Sequence, residues 1–430
     1  MELYIHIPFC VRKCAYCDFL SFPSDADDRE AYTEALTREI TYWGGKLDHP
    51  VLSTIFIGGG TPSWLEVPLM EKILKTVWSN FQISKNLECT MEVNPGTVTY
   101  QALLDYRSLG INRLSIGLQS ANDDELKTLG RIHDYRRFLK TFESARRANF
   151  SNINVDLMTG IPGQTLESLH RSLSKVVLLG PTHISAYDLI IEEGTPFYKR
   201  YHADEEARRA GEQPVYLPDE DTEYQMTRMT EDFLRDKGFR QYEVSNFARP
   251  GYRCRHNVGY WKRREYLGVG LGAASFIDET RWNETDDFRN YLDYWRNGDI
   301  KSPASNSKSG RKAGSESMAG LGIKAGSVEN AESGSLSDFH IQGRPRTMTN
   351  FQRLTKKDAM EEFMFLGLRM NEGVSLDEFE SYFGLPLLSV YGRVVEKYQE
   401  EGMLCLAEGR LLLTRRGREV SNEILADFLF

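Results

Sequence analysis

The sequence has no apolar run near the about 18 residues that a membrane-spanning helix needs, and no basic stretch followed by an apolar one at its start, so neither a span nor a secretory signal is expected. Positive charge is in deficit: 53 Lys and Arg against 62 Asp and Glu give a formal net charge of -9. That balance argues against the clustered basic footprint of a nucleic-acid binder, and no nucleic-acid partner is expected. Cysteine is scarce, six in 430 residues, which excludes a disulfide-stapled scaffold. Cys89, Cys254 and Cys405 are therefore expected as free thiols in a reducing, cytoplasmic setting. What remains is ordinary globular composition, 40% hydrophobic and 27% charged. The length exceeds what one core organises, so two or more domains are expected.

The other three cysteines are crowded together. Cys10, Cys14 and Cys17 form a C-x3-C-x2-C run inside His6-Ile-Pro-Phe-Cys-Val-Arg-Lys-Cys-Ala-Tyr-Cys. Thiolates at this spacing can hold three irons of a four-iron cluster, leaving the fourth iron without a protein ligand and open to a small molecule. A zinc site would ask for a second C-x2-C pair, which does not follow, and a disulfide would leave one cysteine over. The spacing favours the cluster.

Short apolar runs recur through the first half, each ended by a turn residue and followed by a helical stretch. Strands are expected at 3–7, 54–57, 89–93, 113–118, 154–158 and 183–189, with helices at 28–43, 69–80, 99–109, 123–129, 135–148 and 166–179. Six strand-then-helix units imply a parallel sheet with right-handed crossovers. Curled, they make a partial (β/α)6 barrel, with functional groups at the C-terminal ends of the strands. Glu92, Gln119 and Asp156 fall at such ends, and Gly58–Thr61 makes a turn whose backbone can approach a ligand closely.

With these motifs in order over most of residues 1–300, the chain resembles the radical S-adenosylmethionine superfamily. More narrowly it resembles the oxygen-independent coproporphyrinogen oxidase family and its HemW-type heme-chaperone branch. The carrying residues are the cysteine loop, Gly58-Gly59-Gly60-Thr61-Pro62, Glu92-Val93-Asn94-Pro95, Gly117-Leu118-Gln119-Ser120 and Asp156 through Gln164. The resemblance implies a [4Fe-4S] cluster on Cys10, Cys14 and Cys17, with S-adenosyl-L-methionine chelating the open iron. Gly59, Gly60 and Thr61 would meet its methionine end, Tyr16 would pack against the cofactor, and Tyr4, Glu92, Gln119, Arg131 and Asp156 would supply polar contacts. Two departures point away from porphyrinogen decarboxylation. Phe19 stands where the decarboxylating members carry a further cysteine, and the first strand begins at Leu3 with no extension ahead of it. The run His256-Asn257-Val258-Gly259-Tyr260-Trp261 matches the H-N-x-x-Y-W motif of heme-handling members, which implies heme with His256 as axial ligand and Cys254 as a rival thiolate. The expected function is a heme chaperone acting between heme donor and acceptor proteins, membrane-associated respiratory enzymes among them, with transient membrane contact. Coproporphyrinogen III dehydrogenase is the alternative, so whether the chain is an enzyme stays open, as does a homodimer.

Past the barrel, 219–237 reads as a helix, 238–247 as a turn and short strand, and 266–276 as a return to the core. Residues 301–346 are dominated by Ser, Gly, Ala and Lys and are expected to form a disordered insertion between a domain at 1–300 and another at 347–430. From 354 the pattern is helical again: 356–368, 376–382 and 387–400. A hairpin at 403–406 and 410–413 and a last helix at 417–428 complete a winged-helix-like α+β unit. That shape invites a DNA-binding reading, which Glu396, Glu400, Glu401 and Glu408 oppose.

Overall fold

The computed structural model describes residues 1–298 and 344–429. The stretch expected as an insertion over 301–346 lies outside the described residues except at 344–346.

The chain forms β1 (Glu2–Ile7), β2 (Val51–Gly59), β3 (Gln82–Val93), β4 (Arg113–Gln119), β5 (Asn152–Thr159) and β6 (His183–Asp188). These lie side by side in chain order, every neighbouring pair parallel. Helices follow the strands at Ala26–Lys46, Val67–Asn80, Tyr100–Ser108, Tyr135–Arg147 and Leu166–Leu178. Four of these starts are fixed by side chains that accept an orphan backbone N–H, Asp25 from Asp28, Thr99 from Ala102, Asp134 from Arg137 and Thr165 from Ser168, while Val67–Asn80 starts with Pro68 in its first turn. Helix Tyr135–Arg147 buries Phe138, Thr141, Phe142 and Ala145, one stripe at helical spacing. The partial (β/α)6 barrel expected from the sequence is the architecture found.

Period-two alternation sorts each strand. On β4, Leu114, Ile116 and Leu118 are sealed in the hydrophobic core, while Arg113, Ser115 and Gly117 line an interior cavity. On β5, Ile153, Val155 and Leu157 join the core and Asn154, Asp156 and Met158 line the cavity. The helix-facing side is thus apolar and the barrel lumen polar.

Further strands extend the sheet: β7 (Arg240–Gln241), β8 (Asn246–Ala248), β9 (Tyr266–Val269), β10 (Ala274–Ile277), β11 (Thr280–Glu284) and β12 (Met348–Arg353). Among the described residues the sheet has twelve strands, with β9 parallel to β1 and β10, β11 and β12 antiparallel beyond it. The single return expected over 266–276 is two strands, because Gly270 and Gly272 adopt left-handed φ of 97° and 68° and turn the chain between them. After the undescribed stretch the chain rejoins this sheet through β12.

The C-terminal unit has helices at Lys356–Gly367, Leu376–Phe383 and Leu387–Glu400, then the hairpin β14 (Leu404–Ala407) and β15 (Arg410–Leu413), with β13 (Val374–Ser375) paired to β15. Its own core gathers Met364, Phe379, Leu411, Ile424 and Phe428. The last helix expected over 417–428 is two short ones, Arg415–Glu419 and Ser421–Ala426, broken where Val420 leaves helical geometry. Ion pairs tie this unit to the barrel: Arg263 to Glu362 at 3.0 Å, Arg228 to Glu419 at 2.9 Å, and Glu372 to both Arg253 and Lys262 at 2.8 Å.

Candidate functional site

β1 delivers the cysteine loop to the C-terminal mouth of the barrel. A bridge between Phe9 and Phe22 closes the loop, and the Cys10 N–H donates to the Phe22 carbonyl at 3.0 Å. All three cysteines line one cavity of about 470 Å³ that runs from the loop down into the lumen. Cys10 is buried with its Sγ 3.3 Å from Thr61 Oγ1, while Cys14 accepts from Arg131 Nη1 at 3.6 Å. Burial pushes the thiols of Cys10 and Cys17 upward. Among the described residues no three His, Cys, Asp or Glu side chains converge as ligands of one metal ion.

The glycine turn after β2 packs against this loop so closely that side chains are excluded. A Cβ on Gly60 would sit 2.8 Å from the Phe9 carbonyl oxygen and 3.1 Å from Cys10 Sγ, and Gly59 has φ of 112° with His6 beneath it. Thr61 accepts from Asn94 Nδ2 at 2.7 Å; Asn94 in turn accepts from Arg131 Nη2 at 2.7 Å, and Arg131 also donates to the Gly117 carbonyl at 2.8 Å. A single network thus ties the glycine turn and the ends of β3 and β4 to two cysteine thiols, Cys10 through Thr61 and Cys14 through Arg131. Gln119 takes a left-handed φ of 71° at a register shift between β4 and β5, a bulge that re-aims its side chain into the cavity.

Two carboxyls stand below. Glu92 accepts from the Gly59 N–H at 3.1 Å; burial and then the charge of Asp156 push it up to about 8. Asp156 is also raised by burial, against hydrogen bonds from Asn154 at 2.6 Å and Ser115 at 3.2 Å. Tyr16 lines the cavity beside Arg131, 6.2 Å from the Phe197 ring. Tyr4 lies deeper, bonded to His6 Nδ1 at 3.0 Å and stacked on Phe56, whose ring lines the cavity.

His256 is placed elsewhere. It sits on helix Arg255–Trp261 in the closed lower lumen, 1% exposed, while its neighbour Asn257 reaches the cavity. Its Nδ1 is bonded to Thr54 Oγ1 at 2.8 Å and its Nε2 to the Tyr260 hydroxyl at 3.0 Å. Burial and then the charge of Arg113 hold the ring down to about 3, so it is neutral across the physiological range. Cys254 is fully buried, its thiol pushed up to about 12 by burial. The cavity therefore gathers the cysteines, Tyr16, Gly59, Gly60, Thr61, Glu92, Gln119, Arg131 and Asp156, while Tyr4 and His256 both lie behind Phe56, stacked on its ring and outside the lining.

Sequence reasoning passed over Asn94, Arg113, Ser115, Asn154 and Ser185, all of which line the cavity. The signal was there: strands buried on both faces should read as unbroken apolar runs, yet β4 and β5 alternate polar with apolar.

A family model described as the Radical SAM superfamily matches residues 4–176, and one described as the HemN C-terminal domain matches 354–420. The chain is 32% identical over 427 residues to "Heme chaperone HemW" of Bacillus subtilis (strain 168), covering 99% of this chain and 98% of that protein. It is 36% identical to the protein of the same name from Haemophilus influenzae, covering 100% and 98%, and 39% identical over 279 residues to that of Escherichia coli, covering 64% and 69%. Among solved structures, coproporphyrinogen III oxidase (HemN) from Escherichia coli shares the fold, with TM-score 0.74, 21% identity and coverage of 99% of this chain and 89% of that one.

Proposed function

Because this chain belongs to the HemW family within the radical S-adenosylmethionine superfamily, we propose that it is a heme chaperone. In this reading it holds a [4Fe-4S] cluster and S-adenosylmethionine, takes up heme and hands it to acceptor proteins. The observation that carries the reading is the single cavity shared by Cys10, Cys14, Cys17, the glycine turn and the Glu92–Asp156 pair.

The residues present fit the implied groups. Three thiols reach one space, and Gly59, Gly60 and Gly117 line it with bare backbone, protein atoms standing where each Cβ would be. When bound, the cluster and S-adenosylmethionine supply one-electron reductive chemistry at a sulfonium. The chain's own part is orientation. Arg131 holds Asn94 and the Gly117 carbonyl in place and presents its other Nη to Cys14. Asp156 is an acceptor for ribose hydroxyls, and the glycine turn offers backbone groups to an amino acid end. Phe19, 69% exposed at the rim, gives the mouth an apolar edge where a thiol would give it a reactive one. For His256 to ligate heme, one ring nitrogen would have to give up its partner, Nδ1 leaving Thr54 or Nε2 leaving Tyr260 on the same helix. We assign the protein to the cytoplasm, with transient contact at membranes where acceptors reside.

Anaerobic reconstitution followed by hemin titration and a coproporphyrinogen turnover assay on the same sample tests this. The expected result is a brown iron–sulfur chromophore that Cys14→Ser abolishes, stoichiometric hemin binding that His256→Ala weakens while the chromophore stays, and no porphyrinogen turnover. Turnover without hemin binding would replace the chaperone reading with the dehydrogenase.

A further inference from the structure

Arg113 is the charged side chain at the cavity floor that nothing above uses. It opens β4, where strand alternation points it into the lumen, and it lines the cavity while only 1% of its surface is exposed. Its Nε is buried with no hydrogen-bond partner, and the acidic groups around it, Glu88 and Asp156, reach it only through space. Arg131 shares the orphaned Nε, but its two Nη groups are committed to Asn94, the Gly117 carbonyl and Cys14, whereas no side-chain hydrogen bond engages Arg113 among the described residues. Leaving a guanidinium buried without a hydrogen-bonded counter-ion is costly, so a fold that keeps one facing a cavity has a place for an anion.

The surroundings suit a carboxylate. Ser115, Asn154 and Ser185 share the floor with Arg113 and supply neutral hydroxyl and amide groups. The Asp156 oxygens are already engaged by Asn154 and Ser115. Glu92, pushed up to about 8, carries little charge at neutral pH, so that carboxyl repels an incoming anion weakly. Guanidinium presents a planar fork that matches a carboxylate in two parallel bonds. At the rim above, Phe19 is 69% and Ile190 66% exposed among the charged side chains of Arg12, Lys13, Asp18, Asp188 and Glu192. Two apolar groups above a buried guanidinium complement a flat macrocycle with acidic arms.

We propose that Arg113 is a carboxylate anchor that takes one propionate of the tetrapyrrole entering past Phe19 and Ile190. This rests on the heme-cargo reading, and it adds that the cargo is gripped from the barrel floor by a side chain on β4.

The test uses the full chain with its cluster reconstituted, titrated with hemin and with hemin dimethyl ester, in which both propionates are blocked. Wild type is expected to bind hemin roughly 10- to 100-fold more tightly than the ester, the span of a charge-assisted hydrogen bond. Arg113→Met should erase that preference, and Arg113→Lys should keep part of it. Cluster absorbance and S-adenosylmethionine binding of each variant report whether the site is intact. The comparison of hemin with its ester in wild type stands even if Arg113→Met fails to fold. Equal affinity of wild type for hemin and ester, or a preference that survives both substitutions, overturns the anchor while leaving heme cargo in place. A wild-type sample with an intact chromophore that binds no hemin overturns the cargo reading and the anchor together.

Discussion

Gly60 shows how a single residue can be dictated by its neighbours. With the Phe9 carbonyl and Cys10 Sγ packed where a Cβ would stand, even alanine must push the cysteine loop away from the turn. Gly60→Ala is expected to cost about 1–3 kcal/mol in urea unfolding and to lower the yield of reconstituted cluster; full yield with unchanged stability would mean that the loop yields freely. Glu92 carries a pH signature. Its carboxyl is raised from 4.5 to about 8, so between those values the folded protein holds a proton that the unfolded chain has released. Stability contributed by that proton is whole below about 4.5 and is lost as pH rises towards 8, with a slope of up to about 1.4 kcal/mol per pH unit. Unfolding of the cluster-free protein across this range should show Glu92→Gln flattening the decline, and parallel curves for the two proteins would count against it. At this scale Glu92, Gln119 and Asp156 were legible because polar residues ending apolar strands stand out. Arg113 and Asn154 were not, because a polar residue inside a strand reads as local noise until the strand is known to face a lumen.

The helix Arg255–Trp261 is the element whose placement differs most from its expected use. Glu88 caps it, accepting from the backbone N–H groups of Arg255 at 2.9 Å and His256 at 3.2 Å, and Gly259 lies so close to the Glu2 carboxyl that no larger residue fits. The motif therefore seals the base of the barrel as well as offering a histidine. Tyr260→Phe removes the hydroxyl bonded to His256 Nε2. The expected outcome is hemin association several-fold faster by stopped-flow absorbance, with cluster content unchanged; an unaltered rate would show that release of the ring is not limiting. Strand and helix positions were largely readable, since each parallel unit repeats the same apolar-run, turn, amphipathic-helix pattern. Among the elements missed, β11 and β12 are short and defined by pairing with distant strands, which a local pattern does not encode, while helix Pro196–Arg209 is mostly polar and buries only Phe197, Tyr201 and Asp204.

At the scale of the whole molecule, the two compact units are joined by charge and by a small apolar cluster that sets Met370 against Tyr242 and Ala248. Arg263, 2% exposed by its side chain, sits between Glu279 at 2.6 Å and Glu362 at 3.0 Å, so one of its partners comes from each unit. The winged-helix-like outline was legible from three amphipathic helices and a hairpin, whereas its third strand, β13, is two residues long and invisible to periodicity. How the two units meet could not be read at all, because each ion pair joins residues about a hundred positions or more apart.

One of those contacts has a mechanical meaning. Glu372 fastens Arg253 just before the motif helix and Lys262 just after it, and against the upward push of partial burial these two cations hold its carboxyl down to about 2. A single acid thus works as a buckle over both straps of the barrel's base plate, fastening the two ends of the helix that carries His256 to the C-terminal unit. Reversing the charge with Glu372→Lys should undo both straps together. Amide hydrogen exchange would then quicken across 253–262 while β1 to β6 keep their protection, and uniform loosening of the barrel would show that the buckle holds more than its plate.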